Sequence, residues 1–174
     1  MNRGTWISIG LVVSVVAAFG IFLLVGNYAE GRFEGSGFES RFPETTLGYD
    51  DDEFRGLTNS DVRKAYVVPL LFPLDLIVML ALAGSMAAAI WYWLGQVSPA
   101  WTMLALIPLI YLVSDLAEDA LLAWMLQPDT AWPEMIGVLK TLTAIKFASI
   151  IASIVVTVVA FLLWLYGALA GDLS

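Results

Sequence analysis

The chain has 174 residues, of which 60% are hydrophobic and 14% charged, with a mean hydropathy of +0.83. Soluble domains carry about 25% charged residues, so this composition places the chain in the membrane class. A net charge of −8 excludes a nucleic-acid partner, whose phosphates require a basic face. The chain has neither cysteine nor histidine. That removes disulfides, thiolate chemistry, bis-His haem, the usual zinc and copper sites and the commonest general base.

The first apolar run, Trp6 to Val25, follows Arg3 and ends Leu-Leu-Val-Gly-Asn. It exceeds the 7–15 residues of a signal-peptide apolar region and lacks a small-residue cleavage site, so it reads as a retained first span. Residues 27–65 differ in composition, with nine acids against five Lys/Arg. Asp50 and Glu53 form a capping box for a short helix there, and Asn59-Ser60-Asp61 marks a second start. Asp50 and Asp52 invite a calcium reading, but the spaced ligands, central glycine and terminal Glu of an EF-hand are missing. The sequence therefore predicts no metal site and no cofactor.

Three further spans follow, at about 66–94, 101–126 and 135–167, each exceeding the ~20 residues that a bilayer core requires. Pro69 and Pro73 should bend the start of the second span, and Pro108 the third, because each removes a backbone donor. The connectors, residues 95–100 and 127–134, are short, so neighbouring spans should pair as antiparallel hairpins. All seven tryptophans (Trp6, Trp91, Trp93, Trp101, Trp124, Trp132 and Trp164) fall at span ends, as an interfacial belt requires. The predicted fold is all-α: a single membrane domain, built as an antiparallel bundle of four transmembrane helices, with one acidic loop between the first two spans.

Orientation rests on opposing signals. Arg32, Arg41, Arg55, Arg63 and Lys64 would hold the loop in the cytoplasm, whereas Arg3 directly precedes the first span and acidic domains translocate readily. The reading adopted puts both termini in the cytoplasm and the acidic loop in the periplasm of a bacterial inner membrane.

Within the third span, Asp115, Glu118 and Asp119 are spaced i, i+3, i+4, so a helix places all three carboxyls on one face. Each ionised group costs about 2.5–3.5 kcal/mol at the centre of an inserted helix. The second span brings Asp75 and the fourth Lys140 and Lys146, at matching depths of roughly 12–15 Å from the loop side at 1.5 Å per residue. The expectation is one charge layer, with Lys146 paired to Asp119 or Glu118, Asp75 completing the set and Lys140 snorkelling towards the interface. Four acids against two lysines leave two surplus negative charges, to be met by protons, by Arg63 and Lys64, or by a cation or partner.

Tyr111, Ser114, Thr143, Ser149 and Ser153 support the layer, and Thr157 continues the same polar face. Ala144, Ala148 and Ala152, and Gly84 with Ala88, form small-residue rows suited to close helix approach.

The sequence resembles a group of uncharacterised bacterial four-helix integral membrane proteins. The resemblance rests on Leu47-Gly48-Tyr49 before an acidic helix start, Pro73-Leu74-Asp75, Asp115-x-x-Glu118-Asp119, and Lys146, and it covers about two-thirds of the chain. In that group the third-span motif commonly ends in Asn. Here Asp119 takes its place and makes the layer more acidic. The resemblance implies that the layer is a group feature and implies no activity.

The leading functional expectation is a non-catalytic accessory or scaffold subunit of a larger membrane assembly, its acidic loop facing a basic partner and its other partner the lipid bilayer. The alternatives are a proton- or ion-coupled transporter component built on the carboxylate–lysine layer, and a lipid-modifying enzyme using Asp/Glu as acid and base. No nucleophile accompanies the carboxylates, so no catalytic residues are assigned.

Overall fold

The computed structural model describes residues 3–33, 63, 66–127 and 135–170. The acidic helix starts at Asp50–Glu53 and Asn59–Asp61, the Asp50/Asp52 pair and Trp132 lie outside the described residues. Within the described residues every regular element is helical. Four stretches are long and apolar enough to cross a membrane: Gly4–Tyr28, Leu71–Val97, Pro99–Met125 and Ile136–Ala170.

Helix α1 spans Arg3–Phe33, α2 Leu76–Val97, α3 Ile107–Met125 and α4 Ile136–Ala170. The segment before α2, Tyr66–Asp75, is broken helix. Val68 (φ −134°, ψ 119°) and Phe72 (φ −142°, ψ 121°) are extended. Each precedes a proline, whose ring excludes the helical conformation from the residue before it. The bends expected at Pro69 and Pro73 are therefore made one residue upstream of each ring. Before α3 the chain forms a tighter helix, Pro99–Leu106, with three residues per turn. Pro108 then sits in the first turn of α3, where the tighter helix passes into α-helix.

Helix α2 is the central element and packs against α1, α3 and α4, while α3 and α4 share the most extensive contact. Along α2 the apolar core divides into two layers. Val78, Met79, Leu82, Ala83 and Met86 pack with Ala18 of α1 and Tyr111 of α3. Ala89, Ile90, Trp93 and Leu94 pack with Ala105 and with Ala160 of α4.

Trp93 departs from the belt expected of the tryptophans. Trp6 and Trp91 are 63% exposed, whereas Trp93 is 2% exposed. Its ring lies 5.2 Å from Phe161 and 6.5 Å from Trp164, centroid to centroid. Its indole N–H donates to the Ser8 hydroxyl at 3.3 Å, and the Tyr92 hydroxyl donates to the Gly4 carbonyl at 3.3 Å. Two polar contacts thus tie the start of α1 to the end of α2. A buried indole N–H needs such an acceptor, since lipid provides none.

The small-residue rows do not mediate the helix packing expected of them. Gly84 and Ala88 are exposed, and a Cβ placed on Gly84 would meet nothing within 4 Å. Ala144 and Ala148 are exposed too. The buried face of α4 is the polar one: Thr143, Lys146, Ser149, Ser153 and Thr157. Polar groups have no partner in hydrocarbon, so they turn inward and the alanines turn outward.

Candidate functional site

The site lies where α3, α4 and the broken segment before α2 meet. On α3, Asp115, Glu118 and Asp119 are 1%, 0% and 7% exposed. Their i, i+3, i+4 spacing makes this one buried face of an otherwise lipid-facing helix. Helix α4 supplies Lys146, 9% exposed, one turn beyond Thr143. Asp75, half-buried, is the last residue of the broken segment.

Lys146 is the centre of the arrangement. Its Nζ lies 2.7 Å from Asp115 Oδ1 and 2.8 Å from Glu118 Oε2. The second carboxylate oxygen of Glu118 makes a hydrogen bond with the Thr143 hydroxyl, which also lies 3.0 Å from the Leu139 carbonyl. Glu118 is thus held at both oxygens by neighbouring turns of α4. Of the two carboxyls that the sequence assigned to Lys146, Glu118 meets it. Asp115, one turn earlier on α3, was not assigned to it.

Asp75, Asp115 and Asp119 form a second group. One carboxylate oxygen from each lies within 4.8 Å of the others. A hard cation such as calcium binds carboxylate oxygens at about 2.3–2.6 Å, so three oxygens at these separations could share one ion. Two carboxylates so close repel unless a proton or a cation lies between them. Tyr111 is buried one turn before Asp115 on the same helix. The sequence names no metal ligands, though a cation is one of the ways it offers to meet the surplus charge; Asp75 lies forty positions before Asp115 and forty-four before Asp119. Depth matching alone brought Asp75 to this level.

The remaining predicted residues divide clearly. Tyr111 and Ser114 are buried in α3, where the Ser114 hydroxyl donates to the Tyr111 carbonyl at 2.9 Å. Ser149 and Ser153 are buried in α4. Their hydroxyls donate to the carbonyls of Ile145 and Ser149, each at 2.7 Å, and Thr157 donates to Ser153 at 2.7 Å. These hydroxyls satisfy themselves on their own helix rather than reaching across, whereas Thr143 bridges to α3. Lys140 is exposed and stands apart from the buried layer. Arg63 donates to the Leu126 carbonyl at 3.3 Å, next to the C-terminal end of α3, where a cation complements the helix dipole.

Among the described residues, with Lys140 exposed, this region gathers four carboxyls (Asp75, Asp115, Glu118 and Asp119) and one ammonium, an excess of three negative charges if all are ionised. The start of α2 contributes about half a positive charge to this region through its aligned peptide dipoles. That is far short of the difference. One carboxylate oxygen from each of Asp75, Asp115 and Asp119 is close enough to the others for the group to share one cation. No family model, curated protein or solved structure matches this chain.

Proposed function

We propose that this chain is a non-catalytic multi-pass protein of a bacterial inner membrane, folded as an antiparallel four-helix bundle with its acidic loop in the periplasm. Its buried carboxylate–lysine layer is the proton- or cation-binding centre of a coupled transport component. One observation carries the reading: among the described residues, three buried carboxyls and the half-buried Asp75 gather with one ammonium between helices. Structural glue would need only a balanced pair, such as Lys146 with one acid. Ionisable groups within a membrane cost several kcal/mol unless paired or neutralised, and a surplus of one sign is what a passing cation requires. The break at Phe72 also fits, since discontinuous helices border the ion sites of many transporters.

Reconstitution into proteoliposomes tests this. With a proton-sensitive dye inside and an imposed potential, the wild-type chain should carry proton flux, with sodium and potassium fluxes followed in parallel. Asp75→Asn should lower the flux of the coupled ion at least about tenfold, as expected for loss of an ion-pathway group. Flux no greater than in protein-free vesicles, for all three ions, would sink the proposal.

A second reading, the accessory subunit, draws on α1. Among its described side chains only Ser8 and Ala18 are buried, while Val13, Val16, Leu23 and Leu24 are 60%, 64%, 62% and 69% exposed. Lipid can cover such a helix, and so can a neighbouring membrane subunit.

A further inference from the structure

Beyond Lys146, α4 carries a row of buried hydroxyls: Ser149, Ser153 and Thr157 are 8%, 0% and 7% exposed. Each gives its one hydrogen back to its own helix, Ser149 to the Ile145 carbonyl, Ser153 to Ser149 and Thr157 to Ser153. Ser85, buried in α2, does the same, donating to the Leu82 carbonyl at 3.2 Å. Among the described residues, no hydrogen bond joins these four hydroxyls to another helix. Hydroxyls that hold helices together donate across the interface, whereas those turned onto their own backbone slightly weaken the helix. A hydroxyl donates once and accepts twice, so this row offers the bundle interior acceptor oxygens and no donors.

The row also has the length of the missing half of a membrane path. The acid layer lies roughly 12–15 Å below one surface, which leaves roughly 15–18 Å of a hydrocarbon core about 30 Å thick. Lys146 to Thr157 is eleven residues, or about 16.5 Å along the helix axis. One turn further, Ala160 packs in the layer of Trp93, at the end of α2. We infer that Ser149, Ser153 and Thr157 line the route by which a small monovalent cation passes, with its water, between the acid layer and the Trp93 end of the bundle. Oxygens that only accept suit a cation and reject an anion. Neutral oxygens hold a monovalent ion loosely enough to release it, while calcium and magnesium call for carboxylates. Successive hydroxyls rise by about 6 Å, a step that one water spans with two hydrogen bonds of about 2.8 Å.

This inference rests on the transport reading and names its route, but its first readout is independent of flux. The chain has no cysteine, so a single introduced thiol reports on its own position. Ser149→Cys, Ser153→Cys and Thr157→Cys are made in the full chain, with Ile151→Cys and Val155→Cys as lipid-facing controls, those positions being 59% and 55% exposed. Each protein in lipid nanodiscs is treated with silver nitrate, then unfolded, and the surviving thiol is counted with a maleimide. The row should react at least about tenfold faster than the controls, because a charged probe is excluded from lipid. Fewer than two row positions reacting faster than both controls would overturn the inference. Should a cysteine variant not fold, the remaining row positions and Ser153→Ala decide. That variant removes an oxygen bonded to no other helix, so its thermal midpoint should equal or exceed that of wild type; a lowered midpoint marks the row as helix glue and overturns the inference too. A reactive row in a chain without proton, sodium or potassium flux would remove the transport reading alone, and flux with an unreactive row would remove this inference alone.

Discussion

Lys146 sits 2.7 Å and 2.8 Å from two carboxylates of α3, and a residue so placed stabilises the fold through what its loss would leave behind. Breaking a buried ion pair on one side costs about 3–5 kcal/mol, because the partner charge stays buried without compensation. Lys146→Met should therefore lower the stability of the bundle by about that amount, measured by reversible unfolding in mixed micelles. Asp119→Asn should act in the opposite sense. It removes one of the surplus charges near Asp75 and Asp115, so its midpoint should equal or exceed that of wild type. If Lys146→Met melts like wild type, the ion pair is not a stabilising contact. If Asp119→Asn melts much lower, the surplus is held by something that depends on that charge. The i, i+3, i+4 spacing announced these residues in the sequence. The Lys146–Glu118 pairing was legible, but the second partner was not, since Asp115 and Asp119 lie one turn apart on the same face and only the rotation of α3 against α4 selects between them.

At the scale of elements, proline chemistry shapes the site. Pro73 forces Phe72 out of the helix, and the chain re-enters helix at the acid layer, with Asp75 immediately before α2. The prolines made a bend predictable. Where the bend would aim Asp75 depended on the packing of α2 among three neighbours. Trp93 makes the same point at the other end of α2. The sequence places it with Trp91 at a span end, yet two residues along a helix is a rotation of about 200°. Trp91 consequently faces outward and Trp93 inward, against Phe161 and Trp164. Trp93→Ala should cost about 2–4 kcal/mol through lost packing and the lost bond to Ser8. That is somewhat less than in a soluble core, because lipid is as apolar as the site. Trp91→Ala should cost less than about 1 kcal/mol, as surface substitutions generally do. Equal effects of the two variants in the same unfolding assay would contradict this assignment of faces.

For the whole molecule, the exposed side chains of α1 bear on whether the chain works alone. An accessory subunit should leave the membrane in stoichiometric complex with its partners under mild detergent, as read by native mass spectrometry. A lone bundle of 19.0 kDa under those conditions would count against that role and in favour of a self-contained ion component. Composition, span length and proline positions are properties of the chain read locally, so the sequence by itself determined a helical membrane protein with four spans and acids buried in the third. Matching depths even suggested that Asp75 and Lys146 would join those acids. Depth, however, is a one-dimensional measure. Which face of each helix turns inward is set when all four pack at once, and the cost of leaving a charge or hydroxyl in lipid decides that rotation. Only the tertiary structure turned Ala144 and Ala148 of α4 outward and gave Lys146 to Asp115 as well as to Glu118. Among the described residues it leaves one ammonium to four carboxyls, with Thr143 bonded to Glu118 across α3 and α4.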